Sequence, residues 1–377
     1  MPNIIIAPDS FKESMSARQA AEAIQSGFQQ SGVHHDYHLI PMGDGGEGTM
    51  EALTANLDGT YHKLQVEGPN IHPVEATYAV SKDGKTAIME MAQASGLDRV
   101  AAQHRDVGTA STYGTGEVIR AALDQGVQKI ILGIGGSATN DGGAGMIEAL
   151  GAKLLDDQGR PIARGGVGLE HLATIDVSEL DPRLQKTEIV VACDVTNPLL
   201  GEKGASAIFG PQKGADTAMV QRLDHALAHF HARTVEATGN EQQKTPGAGA
   251  AGGLGYALLA YLNAELKPGI DLVLEESNFR AYARKADVII TGEGKIDGQS
   301  VYGKTPVGVA KAGKETGTFV IAICGQLGEG YEEVYDHGID AVFSLVPGAI
   351  SVQDAMEHGG TYLRKVARNI ANVYNEK

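Results

Sequence analysis

Short apolar runs and helical-period stretches alternate at both ends of the chain. Asn3–Ala7 (NIIIA) is a continuous apolar run of the kind carried by a strand buried on both faces. Ser16 then opens SARQAAEAIQSGFQQSG, in which Ala20, Ile24 and Phe28 share one helical face and Gly32 is a stop signal. His38-Leu39-Ile40-Pro41 reads as the next strand and ends in the loop GDGGEG, with a further helix over Glu51–Leu57. This β-α-β-α order predicts a parallel sheet with covering helices. The pattern then changes. Tyr61–Glu67, Val74–Val80 and Lys85–Met91 alternate or run apolar with no helix between them, and Gly68-Pro69-Asn70 and Lys82-Asp83-Gly84 are turn signals. An antiparallel meander inside an α/β chain predicts an inserted second domain starting near residue 60.

From about residue 113 helices and strands alternate again, through GEVIRAALDQG, KIILGIGG, GAGMIEALGAKLL, EIVVACD and a long helical stretch over 218–238. Residues 239–253 are loop-like. The end is again β-α-β-like, with ADVIITGEG, TPVGVAKAGKETG, TFVIAICG, AVFSLVP and a last helix over roughly 351–375. The expected architecture is therefore α/β with two α/β domains. Residues 1–60 plus 285–377 form a discontinuous parallel-sheet domain, and 61–284 form an inserted mixed domain with antiparallel strands near its start. The active site is expected in the cleft between them, a usual place for a two-substrate site.

Composition sharpens this picture at three points. Gly supplies 50 of 377 residues, about 13% against a usual 7% or so, and the glycines cluster between apolar runs, so many tight, backbone-lined loops are expected. A net charge of −16 argues against nucleic acid and anionic membrane as partners, while a small anionic substrate remains open if basic residues or a cation reverse the field locally. Cys193 and Cys324, each at the end of an apolar run, read as reduced, buried residues of a cytoplasmic protein. The opening MPNIIIAPDS lacks the basic flank and length of a signal peptide, and no apolar stretch approaches a membrane span.

Five loops share one grammar, a strand followed by glycines mixed with Asp, Asn, Glu, Ser or Lys. They are APDSFKES (7–14), GDGGEGT (43–49), GGSATNDGG (135–143), CDVTNPLLG (193–201) and GEGKIDGQSVYGKTP (292–306). Open α/β sheets bind ligands beyond the carboxyl ends of their strands. GGSATNDGG is not a dinucleotide fingerprint. Its glycines Gly135 and Gly136 expose backbone N–H groups, Ser137, Thr139 and Asn140 can donate to phosphate, and Asp141 can hold a cation, act as a base or only cap the following helix. GQSVYGKT (298–305) matches the phosphate-loop pattern, but six residues, GEGKID, are expected to separate it from the strand Val288–Thr291, and Pro306 should push Thr305 out of the helical region. Lys295 and Lys304 are then phosphate-facing point charges in a different kind of loop. Phosphoryl transfer needs Mg²⁺, a carboxylate to orient or deprotonate the attacking hydroxyl, and cations to neutralise spreading charge. The acidic set Asp9, Asp44, Glu47, Asp141, Asp194, Glu293 and Asp297 can supply the carboxylates.

Within that set, Asp44, Glu47 and Asp297 are the metal candidates. Asp194, delivered just past a buried strand in a loop stiffened by Asn197-Pro198, is the preferred general base, with Asp141 its rival. Lys12 is a further catalytic cation, and Asp9, Ser10 and Asn197 are substrate- or phosphate-facing. Arg105 can grip a substrate carboxylate or form an ordinary surface ion pair. Most histidines, such as His34, His35, His225, His229 and His231, sit at polar or surface positions. No zinc motif and no nucleophile elbow is present.

At these loops the chain resembles the bacterial glycerate kinases of the first type. The likeness runs through APDSFK, GDGGEGT, YGTGE, IGGSATNDGG, ACDVTNP, GPQKGA, GAAGGLG and TGEGKIDGQSVYGK, nearly end to end. The resemblance implies a Rossmann-like domain interrupted by a second α/β domain, and ATP-dependent phosphorylation of D-glycerate to a 2- or 3-phosphoglycerate. Competing readings are a kinase of another small hydroxy acid, a phosphate-loop NTPase, and a non-catalytic sugar-acid binding protein.

Overall fold

The computed structural model describes residues 2–46 and 48–375. In chain order the strands are β1 (Asn3–Pro8), β2 (Asp36–Leu39), β3 (Thr60–Glu67), β4 (Pro73–Val80), β5 (Thr86–Glu90), β6 (Lys129–Gly133), β7 (Lys153–Leu155), β8 (Thr174–Asp176), β9 (Glu188–Ala192), β10 (Glu265–Lys267), β11 (Val288–Ile296), β12 (Phe319–Leu327) and β13 (Ala341–Ser344). The chain divides into two compact units, Met1–Asp58 with Pro268–Lys377, and Gly59–Lys267.

The first unit is built on a parallel sheet in the order β13-β12-β11-β1-β2. Its central strands are continuous apolar runs because helices cover both faces, and Ile4, Ile5, Ile6, Val288, Ile289 and Ile290 are fully buried. From β1 the chain winds outward to β2; from β11 it winds the other way to β12 and β13. The strand order thus reverses between β1 and β11, which are paired up to Pro8↔Gly292. Ligands in such sheets bind in the crevice at that reversal.

One helix pair stiffens this unit. Ser16 caps the helix Ala17–Gln29 through a reciprocal box with Gln19. The buried face of that helix lies on Gly359–Asn375, and Gly27 lets the two backbones approach. A Cβ there would stand 2.4 Å from the Arg364 carbonyl oxygen and 2.7 Å from Ala367 Cβ. Gly27→Ala is therefore expected to lower the melting temperature. Overpacking costs about 1–3 kcal/mol and outweighs the roughly 1 kcal/mol that alanine gains in helix propensity. Thermal denaturation checks this, and an unchanged or raised midpoint would mean that the helices part freely.

The second unit carries a six-stranded sheet in the order β10-β9-β6-β5-β4-β3. The β3–β4–β5 meander is antiparallel, and β5, β6, β9 and β10 run parallel. Strands β7 and β8 form a separate ribbon. Ile130, Leu132, Ile189 and Val191 share one core with buried residues of the long helix Thr217–Thr238 and of Ala250–Leu262.

The structure changes several expectations. Residues 268–284 belong to the first unit, because the helices Gly269–Glu276 and Phe279–Ala283 pack on the helix Thr305–Lys314. Strand β11 runs on to Ile296, so a single residue, Asp297, separates it from Gly298, and Thr305 begins a helix with Pro306 in its first turn. Both sequence objections to GQSVYGKT as a strand–loop–helix unit therefore fall. Proline is well accommodated in a first turn, where its missing N–H costs nothing. The final helix is two helices, Val352–Glu357 and Gly359–Asn375, broken where Gly359-Gly360 weakens helix propensity. His35 and His231 are buried rather than at the surface; His35 lies among the rings of Phe28, Tyr37 and Tyr374, and His231 Nδ1 is 2.9 Å from the Tyr256 hydroxyl. Cys324 is buried, Cys193 half-buried, and both are free thiols. Among the described residues, no helix is long and apolar enough to cross a membrane.

Candidate active site

In the first unit, the reversal point of the sheet is lined with carboxylates. Asp9 follows β1 directly, and its N–H donates to the Gly292 carbonyl of β11. Its carboxylate accepts from the Thr305 hydroxyl and, at 2.6 Å, from the Ser10 N–H. Burial, with the charge of Asp44 adding to it, nevertheless pushes the Asp9 carboxyl up to about 6. Asp44 sits in the tight turn after β2, where its Oδ1 accepts from Gly46 N–H at 3.1 Å. Glu293 lies near the end of β11 and accepts from the Ser300 hydroxyl at 3.1 Å. Burial pushes it up to about 7, Lys304 pulls it down, and Asp9 and Asp44 push it further up.

The lysines of this loop are engaged with carboxylates. Lys304 Nζ lies 3.8 Å from Glu293 and 4.0 Å from Asp297. Lys295, exposed at the surface, is 2.7 Å from Asp297 and holds that carboxyl below its usual range. Of the residues a phosphate loop turns to nucleotide and metal, Lys304 here lies within ion-pair distance of Glu293 and Asp297, and the Thr305 hydroxyl donates to Asp9. Lys12 is exposed in the turn after Phe11. Glu47 lies outside the described residues.

In the second unit, the loop after β6 is more buried than its glycines suggest. Only Gly135 and Gly136 are exposed, and residues 137–143 are buried. The side-chain donors expected to face phosphate turn inward. Ser137 bonds Lys213, and Asn140 donates to Ser206 Oγ at 2.9 Å. The loop packs against Ala251–Gly253, three successive residues with positive φ, and a Cβ on Gly252 would come within 2.0 Å of the Thr139 carbonyl oxygen. Asp141 is fully buried, and its carboxylate accepts from Thr112 N–H (2.8 Å), Thr112 Oγ1 (2.8 Å), Gly143 N–H (3.1 Å) and Gly145 N–H (3.2 Å). It ties together the starts of two helices, Tyr113–Asp124 and Ala144–Ala149, and has no free face for a substrate. The expectation that Asp141 acts as a base is corrected on that ground.

Asp194 is exposed two residues past the end of β9. Because Gly133 pairs with Ala192, Asp194 and the exposed Gly135-Gly136 leave the same edge of the sheet from neighbouring strands. Asn197 stiffens this loop. Its Nδ2 donates to the Lys203 carbonyl at 2.8 Å, and its own carbonyl accepts from Gly249 N–H. Arg105 is half-buried, and its Nε has no acceptor.

Two residues escape the sequence reading. Glu293 belongs to the acidic set of the sequence with no role attached to it, and only the extension of β11 to Ile296 places it on a strand. Lys213, in GPQKGA, is 1% exposed, and its ammonium donates to Ser137 Oγ and the Thr139 carbonyl, both at 2.6 Å. Burial pushes its amine down to about 7, against an upward pull from Asp141. Its partners lie 76 and 74 residues away in sequence, so no local spacing could reveal it.

A doubly wound parallel sheet with acids and lysines at its reversal point, joined to a second α/β unit, has the architecture of a small-molecule kinase. The comparisons agree. The model of the glycerate kinase family matches residues 4–375. The chain is 56% identical to a glycerate kinase of Halalkalibacterium halodurans, over 99% of this chain and 98% of that one. It is 53% identical to a glycerate kinase of Bacillus subtilis over 98% and 96%, and 49% identical to the glycerate 2-kinase of Escherichia coli over 98% and 97%. A solved structure from Salmonella typhimurium LT2, described as a glycerate kinase 2, superposes with a TM-score of 0.92 at 47% identity and covers 100% of this chain and 98% of its own. The chain belongs to the glycerate kinase family and is a kinase.

Proposed function

We propose that this enzyme transfers the γ-phosphoryl group of ATP to the 2-hydroxyl of D-glycerate with the help of Mg²⁺, in the cytoplasm. The two free cysteines are in keeping with that compartment. The observation that carries the reading is the carboxylate cluster at the β1/β11 reversal. Burial first, and then the neighbouring carboxylates, push Asp9 and Glu293 above the usual carboxylate range, which a divalent cation would relieve. The choice of the 2-hydroxyl rests on the Escherichia coli relative, which is a glycerate 2-kinase.

The donor set fits Mg²⁺ on a nucleotide. Among the described residues, no three acidic, His or Cys side chains converge on one point, and Mg²⁺ on a nucleotide usually takes one or two carboxylates, with phosphate oxygens and water completing its shell. Asp44, with Asp9 or Glu293, would hold it. Asp297, already paired with Lys295, is less available. Held there, Mg²⁺ would supply positive charge against the nucleotide phosphates. Lys304 adds a second positive charge there, and Gly135-Gly136 offer backbone N–H groups to an anion. Asp194 orients the substrate hydroxyl and accepts its proton late in the transfer.

A coupled ADP-release assay with D-glycerate, with and without Mg²⁺, tests the reaction. Phosphorus–proton NMR of the product tests the position, with phosphorus expected to couple to the C2 proton. ADP release that is independent of glycerate would remove the reading, and coupling to the C3 protons would reassign the hydroxyl.

A further inference from the structure

In the second unit, Lys213 and Arg105 line one narrow recess with Asn70, Asp106, Val100 and Ala138. Lys213 is almost fully buried, yet among the described residues no carboxylate lies within ion-pair distance of it; its two partners are a hydroxyl and a backbone carbonyl. An ammonium taken out of water is costly, and the charge of buried Asp141 answers it only in part, since burial still holds the amine below its usual range. Arg105 Nε and Asn70 Oδ1 are also buried and without partners. Asp106 lies on the same wall, and its carboxylate accepts from Gly108 N–H (3.0 Å) and the Thr109 hydroxyl (2.9 Å) rather than from Arg105 or Lys213. The recess has no room for a free water, but it shares Asn70 and Val100 with an open cleft of about 340 Å³. That cleft adds Arg99, His72 and His104 to its wall. Arg99 and Arg105 thus bring two fixed positive charges, against the one carboxylate of Asp106, to this part of a chain whose net charge is −16.

We infer that this cleft and the recess behind it recognise the carboxylate of the substrate acid. An acid seated in the cleft meets Asn70 at the shared wall, with the positive charge of Arg105 acting on it from behind that wall. Lys213 is a positioning residue that supplies buried positive charge and fixes Ser137 and Thr139 of the glycine loop. A cation that reads a carboxylate rejects the neutral polyol, because glycerol leaves the charges unanswered. The inference deepens the proposed function and rests on it.

The test is steady-state kinetics of Lys213→Met and Arg105→Met with D-glycerate, ATP and glycerol. Loss of a charge-assisted contact predicts a rise of about tenfold to a hundredfold in KM for D-glycerate. KM for ATP should stay within about twofold, and the preference for D-glycerate over glycerol should shrink by the same factor. Equal changes in both KM values, or a fall in kcat alone with the preference intact, would overturn the inference. If Lys213→Met does not fold, Arg105→Met decides by the same criteria. A native enzyme with no glycerate-dependent turnover would instead remove the functional reading on which the inference rests.

Discussion

Glu293→Gln is expected to lose about a hundredfold in turnover and to melt at a higher temperature than the native protein at pH 8. Burial pushes the Glu293 carboxyl from a usual 4.5 to about 7, so the folded chain holds this proton more tightly than the unfolded one. The stability tied to that proton is fully present below about pH 4.5 and is lost as pH rises through about 7. At pH 8 the folded protein carries a half-buried charge facing Asp9 and Asp44, whose fields oppose it. Glutamine mimics the protonated form and keeps an acceptor for Ser300. At 1.36 kcal/mol per unit, the gain reaches up to about 3 kcal/mol at pH 8 and vanishes near pH 4. Asp9, raised from 3.8 to about 6, has the same sign. The charge that destabilises the fold is the one proposed to face Mg²⁺ and phosphate, and losing one such electrostatic partner costs about 10²-fold. Calorimetry at pH 5 and pH 8, with turnover measured at saturating ATP, checks both halves. A variant that melts lower at pH 8, or that turns over at the native rate, would remove Glu293 from the site.

Glu293 also marks where sequence reasoning stops. Strands β1, β6 and β9 are legible because burial on both faces demands unbroken apolar runs, and Asp9 and Asp194 follow from β1 and β9 as the first carboxylates past a strand end. The meander is legible because its turns carry Pro, Asn, Asp and Gly. The last part of β11, Gly292–Ile296, is glycine and charge, and nothing local marks it as a strand. It is one because β12 pairs with it as far as Ile296↔Leu327, a tertiary fact. The unit boundary at Pro268 is hidden for the same kind of reason, since short helices do not reveal which sheet they cover. Within the glycine loop, composition points to exposed donors. Only packing against Ala251–Gly253 and Lys213 decides that Ser137, Thr139 and Asn140 turn inward, and that contact joins segments far apart in sequence.

Asp194→Asn is expected to cut kcat by about 10²–10⁴-fold, the contribution of a positioned base, while leaving ATP binding and the fold in place. The carboxylate stands exposed two residues beyond β9, on the edge it shares with Gly135-Gly136. Neighbouring bonds hold its loop in one shape. Cys193 N–H donates to the Lys267 carbonyl, Cys193 Sγ–H to the Val195 carbonyl, and Asn197 to the Lys203 carbonyl. Such rigidity matters because phosphoryl transfer depends mostly on positioning and electrostatics. Asparagine keeps the size and one acceptor oxygen of aspartate, so it can still orient a hydroxyl, but it cannot take the proton. An exposed isosteric change of this kind usually moves stability by no more than about 0.5 kcal/mol. Single-turnover kinetics and nucleotide binding, measured alongside the melting temperature, separate the roles. A slow chemical step with native ATP affinity and native melting is the signature of the base. A loss under about tenfold, or a fall in stability that matches the fall in rate, would assign Asp194 to holding its own loop and leave proton transfer to a late, uncatalysed step.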